Sequence, residues 1–311
     1  MRISQLLKEH TDVYNDTEFS QDFLSDVCEK LNSDFSEAWN IVRNNNLQHA
    51  IFRADAEVVY EVAVAFKNAD SERKAAYALL NIHNLWINNH PDWSEFPKRN
   101  VICSTNAEDI SDRRGETCVV IPKNGSKIGL CPESDIYDSF VKINDMIDES
   151  MPLNMFYDDV QRNIVENLRV FSTLSGIKIQ TLKHGMSYSE TRKTLEQYDE
   201  LLNHIKNNPE FYKNKDVDSY IVSQFQYSIY EYIILRREAM MPTHVRYILN
   251  NGFIKSFDEL FEPENFQVLD YKTAIQNDEP LECWIDQPCI LMTFEAYDII
   301  KEYYERNYGD D

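Results

Sequence analysis

The chain has 311 residues, 43% of them hydrophobic, and 53 acidic against 31 basic residues give it a net charge of −22 at pH 7. That length can bury one large or two modest cores without disulfides or metals. The charge repels phosphate backbones, and Lys and Arg occur as scattered pairs such as Lys98-Arg99, Arg113-Arg114 and Arg236-Arg237, so direct nucleic-acid backbone binding is not expected.

The first residues, MRISQLLKEHTDVYN, turn polar quickly and lack the apolar core and small-residue cleavage site of a signal peptide. No run of about 18 apolar residues follows. A cytoplasmic protein with no membrane contact is therefore expected. Residues 1–48 are predicted to form an N-terminal helical layer, because Leu6, Leu7, Phe19, Phe23, Leu24, Val27 and Leu31 recur at helical spacing and Trp39, Ile41 and Val42 continue it.

Residues 49–140 read as the first half of a mixed core. Residues 50–54 suggest a brief strand after Asn44-Asn45-Asn46, and 71–86 a helix whose apolar face is Ala75, Ala78, Leu79, Ile82, Leu85 and Trp86. Val101 to Cys103 reads as a strand ending at Ser104-Thr105. Cys118–Ile121 and Lys127–Cys131 read as two strands joined by a tight connection, in which Asn124-Gly125 serves a turn more readily than a phosphate. A helix is expected to begin at Asp135.

Residues 141–249 are predicted to be a helical insertion, with helices near 155–172, 188–207 and 216–238 broken at Gly176, Pro209 and Pro242. Tyr227, Tyr230 and Tyr232 there read as a packing face. Residues 250–311 complete the core, with strands at 266–269, 281–286 and 289–292 and a terminal helix at 296–306 whose tyrosines cover the sheet. The fold class is α+β: a split β-core with flanking helices, in which strands from before residue 135 and after residue 265 share one sheet across the insertion.

The six cysteines lie mostly in apolar runs, as free thiols of a reducing compartment do, with a Cys283–Cys289 bridge across a hairpin as the alternative. No Walker loop, Gly-x-Gly-x-x-Gly, His-Glu-x-x-His, Gly-x-Ser-x-Gly or Cys-x-x-Cys occurs, and no metal is expected. His83, inside an apolar helix face, reads as a packed residue.

One ordered set carries chemistry: Arg53 at the end of a short strand, Ser104-Thr105 at the end of another, and Glu282 in the late strand pair. Through IFRAD, FPKRNVICSTN, RRGETCVVIPKNGSKIG and LECWIDQPCILM, the sequence resembles the ADP-ribosyltransferase superfamily of the arginine, Ser-Thr-Ser and glutamate type, in particular divergent versions of tailed bacteriophages. The resemblance implies NAD as substrate and transfer of ADP-ribose to an acceptor. Arg53 would then hold the NAD phosphates. Ser104 would orient Glu282, Thr105 would support the motif, and Glu282 would stabilise the charge that develops as nicotinamide leaves. Arg99 is an alternative phosphate holder, and the sequence leaves the choice open.

Asn106 stands where the motif's last serine is expected, and Pro280 where arginine-modifying members carry a second acid, which disfavours arginine as acceptor. The alternative function is a non-enzymatic viral structural protein, or a protein that binds a host partner, on the same fold. A third reading is an acidic surface that mimics nucleic acid.

Overall fold

The computed structural model describes every residue except 1–11, 16–18, 46, 48, 70–80, 111–114, 141–152, 184, 214–228, 237–240, 277–278 and 310–311. The chain divides into two compact units. One comprises Met1–Arg73, Ser94–Ile136 and Glu264–Asp311, and the other Lys74–Trp93 and Tyr137–Pro263.

The first unit is built on one antiparallel sheet. Its described strands are β1 (Asp12–Asn15), β2 (Ile51–Asp55), β3 (Ala63–Lys67), β4 (Val101–Ser104), β5 (Glu116–Pro122), β6 (Ile128–Leu130), β7 (Gln267–Leu269), β8 (Glu282–Ile285) and β9 (Cys289–Thr293), in the order β1-β3-β9-β5-β2-β4-β8-β6-β7. The early and late strands do share a sheet: β8 lies between β4 and β6, and β9 between β3 and β5. With its helices this is an α+β protein.

Four readings of the sequence are corrected by the sheet. β1 falls inside the segment read as purely helical. β3 was not foreseen, because its Ala-Val-Ala-Phe run is buried on both faces and lacks the alternation that marks a half-exposed strand. β5 and β6 do not pair with each other, since β5 lies between β9 and β2 and β6 between β8 and β7. Their connecting turn is instead tied to the start of helix Ser36–Asn45. Asn124 donates to the Ser33 carbonyl at 2.7 Å and accepts from the Glu37 amide at 2.9 Å, while the Gly125 amide donates to Glu37 Oε2 at 2.8 Å. β8 and β9 are likewise apart, with β5, β2 and β4 between them, so Cys283 and Cys289 are not hairpin neighbours. All six cysteines are free and buried.

The sheet is strongly coiled. Lys67 at the end of β3 lies 2.7 Å from Asp55 at the end of β2, although β9 and β5 separate those strands in the hydrogen-bonded order. Asn100, just before β4, donates to the Ala69 carbonyl at 2.5 Å. Helices close the coiled core. Gln21–Ser33 starts at Ser20, whose hydroxyl accepts from the Phe23 amide, and buries Leu24, Val27, Cys28 and Leu31 at helical spacing. The terminal helix Phe294–Tyr308 starts at the Thr293 cap and packs Tyr297 and Tyr304 against Trp39, so these tyrosines belong to the core.

Gly115 adopts φ +96°, and a Cβ there would fall 2.0 Å from the Asp55 carbonyl oxygen. Gly115→Ala is therefore expected to destabilise the protein by about 1–3 kcal/mol from backbone conformation alone, read as a lower urea midpoint. An unchanged midpoint would contradict the close approach of the chain at this bend.

The second unit is helical. Tyr188–Asn207 begins with a Ser187/Glu190 capping box, and Glu166–Ser175 ends at Gly176 in the left-handed conformation, as the sequence indicates. The unit extends beyond the predicted 141–249 insertion. It includes Ile82–Asn89, because Trp86 bonds Asp258 at 3.0 Å and packs on Phe257 and Phe261, and it continues through helix Phe253–Leu260. His83 is buried against Tyr157. The start of the 71–86 helix, Tyr227 and most of the 216–238 helix lie outside the described residues. Residues 136–138 form one 3-10 turn in place of the expected helix start at Asp135.

Candidate functional site

β2, β4 and β8 carry the residues singled out from the sequence. In the ladder Phe52 lies opposite Ser104, and Ser104 opposite Glu282. Directly opposed residues of antiparallel strands share a face, and successive residues alternate. Ser104 and Glu282 are thus side by side at the end of β4, whereas Arg53, next to Phe52 in the middle of β2, is directed to the opposite face.

On that face Arg53 donates to Asp55 Oδ2 at 2.9 Å and to the Ile102 carbonyl at 2.6 Å, and Lys67 donates to the same Asp55 oxygen at 2.7 Å. Asp55 is 3% exposed. Burial pushes its carboxyl up, but Arg53 and Lys67 outweigh that and hold it below its ordinary value. The placement of Arg53 is a correction to the expected three-residue cluster.

The Ser-Thr-Asn segment is occupied locally. The Ser104 hydroxyl accepts from the Asn106 amide at 3.1 Å, and Asn106 Oδ1 accepts from the Glu108 amide at 2.9 Å, which shapes the turn into Glu108–Ile110. The Thr105 hydroxyl donates to the Glu279 carbonyl at 3.2 Å and accepts from the Leu281 amide at 2.9 Å. It thereby fixes the chain entering β8.

Glu282 is 3% exposed and forms an ion pair with Arg99, itself 3% exposed, from the loop before β4. A buried guanidinium on a buried carboxylate is a closed arrangement. Trp284, two residues on, donates to the Pro97 carbonyl at 2.8 Å and lies across Gly129, where a Cβ would come 2.2 Å from the indole. The segment bearing Arg99 is thus held over this face from two sides.

All six cysteines are buried. Burial pushes Cys118 up to about 12, and a hydrogen bond with Cys103 together with burial raises Cys283 well above the ordinary thiol value. Among the described residues no group of His, Cys, Asp and Glu has the arrangement of a metal site, and no helix is long and apolar enough to cross a membrane.

Open space lies beside this strand end. One cavity of about 360 Å³ is lined by Leu47, His49, Phe52, Thr105, Asn106, Glu108, Ile275, Glu279 and others. A second of about 610 Å³ is lined by Asn40, Asn44, Asn45, Lys272 and Gln276, and shares His49 and Ile275 with the first. His49, Glu108 and Glu279 were not legible as a group in the sequence, because they come from three distant segments with no common spacing. Of the expected residues only Thr105 lines the groove.

Comparison with known proteins finds no family model, no curated protein and no solved structure that matches the chain.

Proposed function

We propose that this protein is a non-enzymatic binding protein, and that the groove between helix Ser36–Asn45 and the Thr105–Glu108 turn is its recognition site. The observation that carries this reading is the Arg99–Glu282 pair: the carboxylate a transfer reaction would need is buried and neutralised by a cation that is itself buried. The engagement of Arg53 with Asp55 supports the same reading, since that guanidinium is committed to the core. The groove, by contrast, is open, and its chambers fall within the roughly 300–1,000 Å³ of ordinary ligand sites.

The second reading is ADP-ribosyl transfer from NAD. It is favoured by the direct opposition of Ser104 and Glu282 next to a cavity lined by Thr105 and Asn106. In that reading Arg99 releases Glu282 when substrate enters, and Arg53 acts only by bracing β2. A single assay separates the two: nicotinamide release from NAD, with and without cell lysate as a source of acceptors. The binding-protein reading expects no release above the uncatalysed rate. Enzymatic release that falls about 100- to 1,000-fold in Glu282→Gln, with the fold retained, would overturn it in favour of the transferase.

A further inference from the structure

We propose that His244 is an acid-sensitive latch of the helical unit: on mild acidification its ring takes up a second proton, and the first turn of helix Thr243–Asn251 leaves its seat against helix Leu153–Val160. The latch is independent of what the groove binds. It rests on three observations. The His244 side chain is 1% exposed. Its Nε2 lies 3.1 Å from Asp159 Oδ2, and since a carboxylate oxygen accepts, the proton of the neutral ring sits on Nε2 and Nδ1 keeps a lone pair. That Nδ1 is buried and has no hydrogen-bond partner among the described residues.

The surroundings oppose an imidazolium, with one exception. Phe156 packs on the ring with centroids 5.7 Å apart and offers no acceptor. His244 is the second residue of its helix, where the positive end of the helix dipole disfavours added positive charge. Burial pushes its proton affinity below the ordinary value, and Asp159, the exception, does not offset that. The other charged groups on the elements packed against this helix are engaged elsewhere. Asp158, on helix Leu153–Val160, and Arg162, on the π turn Gln161–Val165, are exposed and lie 4.0 Å apart. On helix Phe253–Leu260, Asp258 holds Arg192, and Glu259 accepts from Tyr247 and lies 3.7 Å from Lys255. Arg246, on the same helix as His244, donates to Thr243, while Lys206 and Tyr232 meet Asn250 near the other end. A protonated Nδ1 would therefore be a buried charged donor without an acceptor, a costly state that opening the turn to water relieves. The turn is also weakly held at its start, since Pro242 supplies no side-chain cap.

Because the folded value lies below the unfolded one of about 6.5, the contribution of His244 is present above that pH and is lost as pH falls from there through the folded value. The test is amide hydrogen exchange of the full chain at pH 7.5 and 5.5, corrected for intrinsic rates. Acidification is expected to lower protection in Thr243–Asn251 by up to about tenfold, the ceiling for one histidine of ordinary affinity in the open form, while protection in strands β5 and β9 holds. His244→Gln keeps a donor for Asp159 but takes up no proton, and should abolish the loss. Equal losses in wild type and variant, no loss in either, or an equal loss in the strands would each overturn the latch. A second measurement needs only the wild type: nitrogen NMR of the histidine rings should show His244 as the Nε2–H tautomer at neutral pH, titrating below about 6.5. A His244 ring already charged at neutral pH would overturn the proposal even if the variant does not fold.

Discussion

Replacing Arg99 by methionine is expected to destabilise the protein by about 3–5 kcal/mol, the usual cost of stranding one member of a buried ion pair. Arg99 and Glu282 are each 3% exposed, so after Arg99→Met the carboxylate must stay charged without its cation or take up a proton. Either outcome is unfavourable. The double variant Arg99→Met with Glu282→Leu should recover most of the loss, because a packed apolar pair of similar volume replaces two desolvated charges. Urea denaturation of the wild type, both single variants and the double variant closes the cycle. Additive losses would mean that the two side chains are not energetically coupled, and the argument for a closed Glu282 would then lose its basis.

The second large effect is expected at Asp55. This carboxylate receives both Arg53 and Lys67 and accepts from the Glu57 amide at 3.1 Å. Asp55→Asn keeps the volume but leaves two partly buried cations without their shared anion, and a loss of about 3 kcal/mol is expected. The pH dependence has a definite sign. Asp55 has a folded value below its unfolded one of about 3.9, so its contribution is fully present above about pH 5 and disappears as pH falls through the depressed folded value. Wild-type stability should therefore drop on acidification below pH 5 more steeply than that of Asp55→Asn, measured as the urea midpoint between pH 3 and 7. Parallel curves would show that Asp55 has no depressed value in the folded protein.

The amino-acid order alone determined most of the elements, because each depends on contacts within a few residues. The 20-residue helix Tyr188–Asn207 is announced by its apolar spacing, and its end by Pro209. Strands β2, β4, β5, β8 and β9 are short apolar runs bounded by turn residues, and their division by a helical block pointed to a sheet assembled across it. The order of strands was not legible. Nothing local tells β8 to pair with β4 and β6 while β9, three residues further on, pairs with β3 and β5. That choice is made by which faces must be buried together.

The site was legible only in part for the same reason. Ser104 was picked out at a strand end and Glu282 within the late strand pair, as the resemblance pairs them, and the ladder brings them opposite one another. Arg53 was picked out equally well, but a shift of a single residue in a strand reverses the face on which a side chain lies. In the folded sheet it is therefore Phe52 that stands beside Ser104, while Arg53 joins Asp55 and Lys67. The tertiary structure alone decided that Arg99 closes on Glu282 and that His49, Glu108 and Glu279 border one groove. These groups are far apart along the chain and meet only in the folded sheet, which sets the loop before β4 over Glu282 and brings the segments of His49, Glu108 and Glu279 together beyond Ser104.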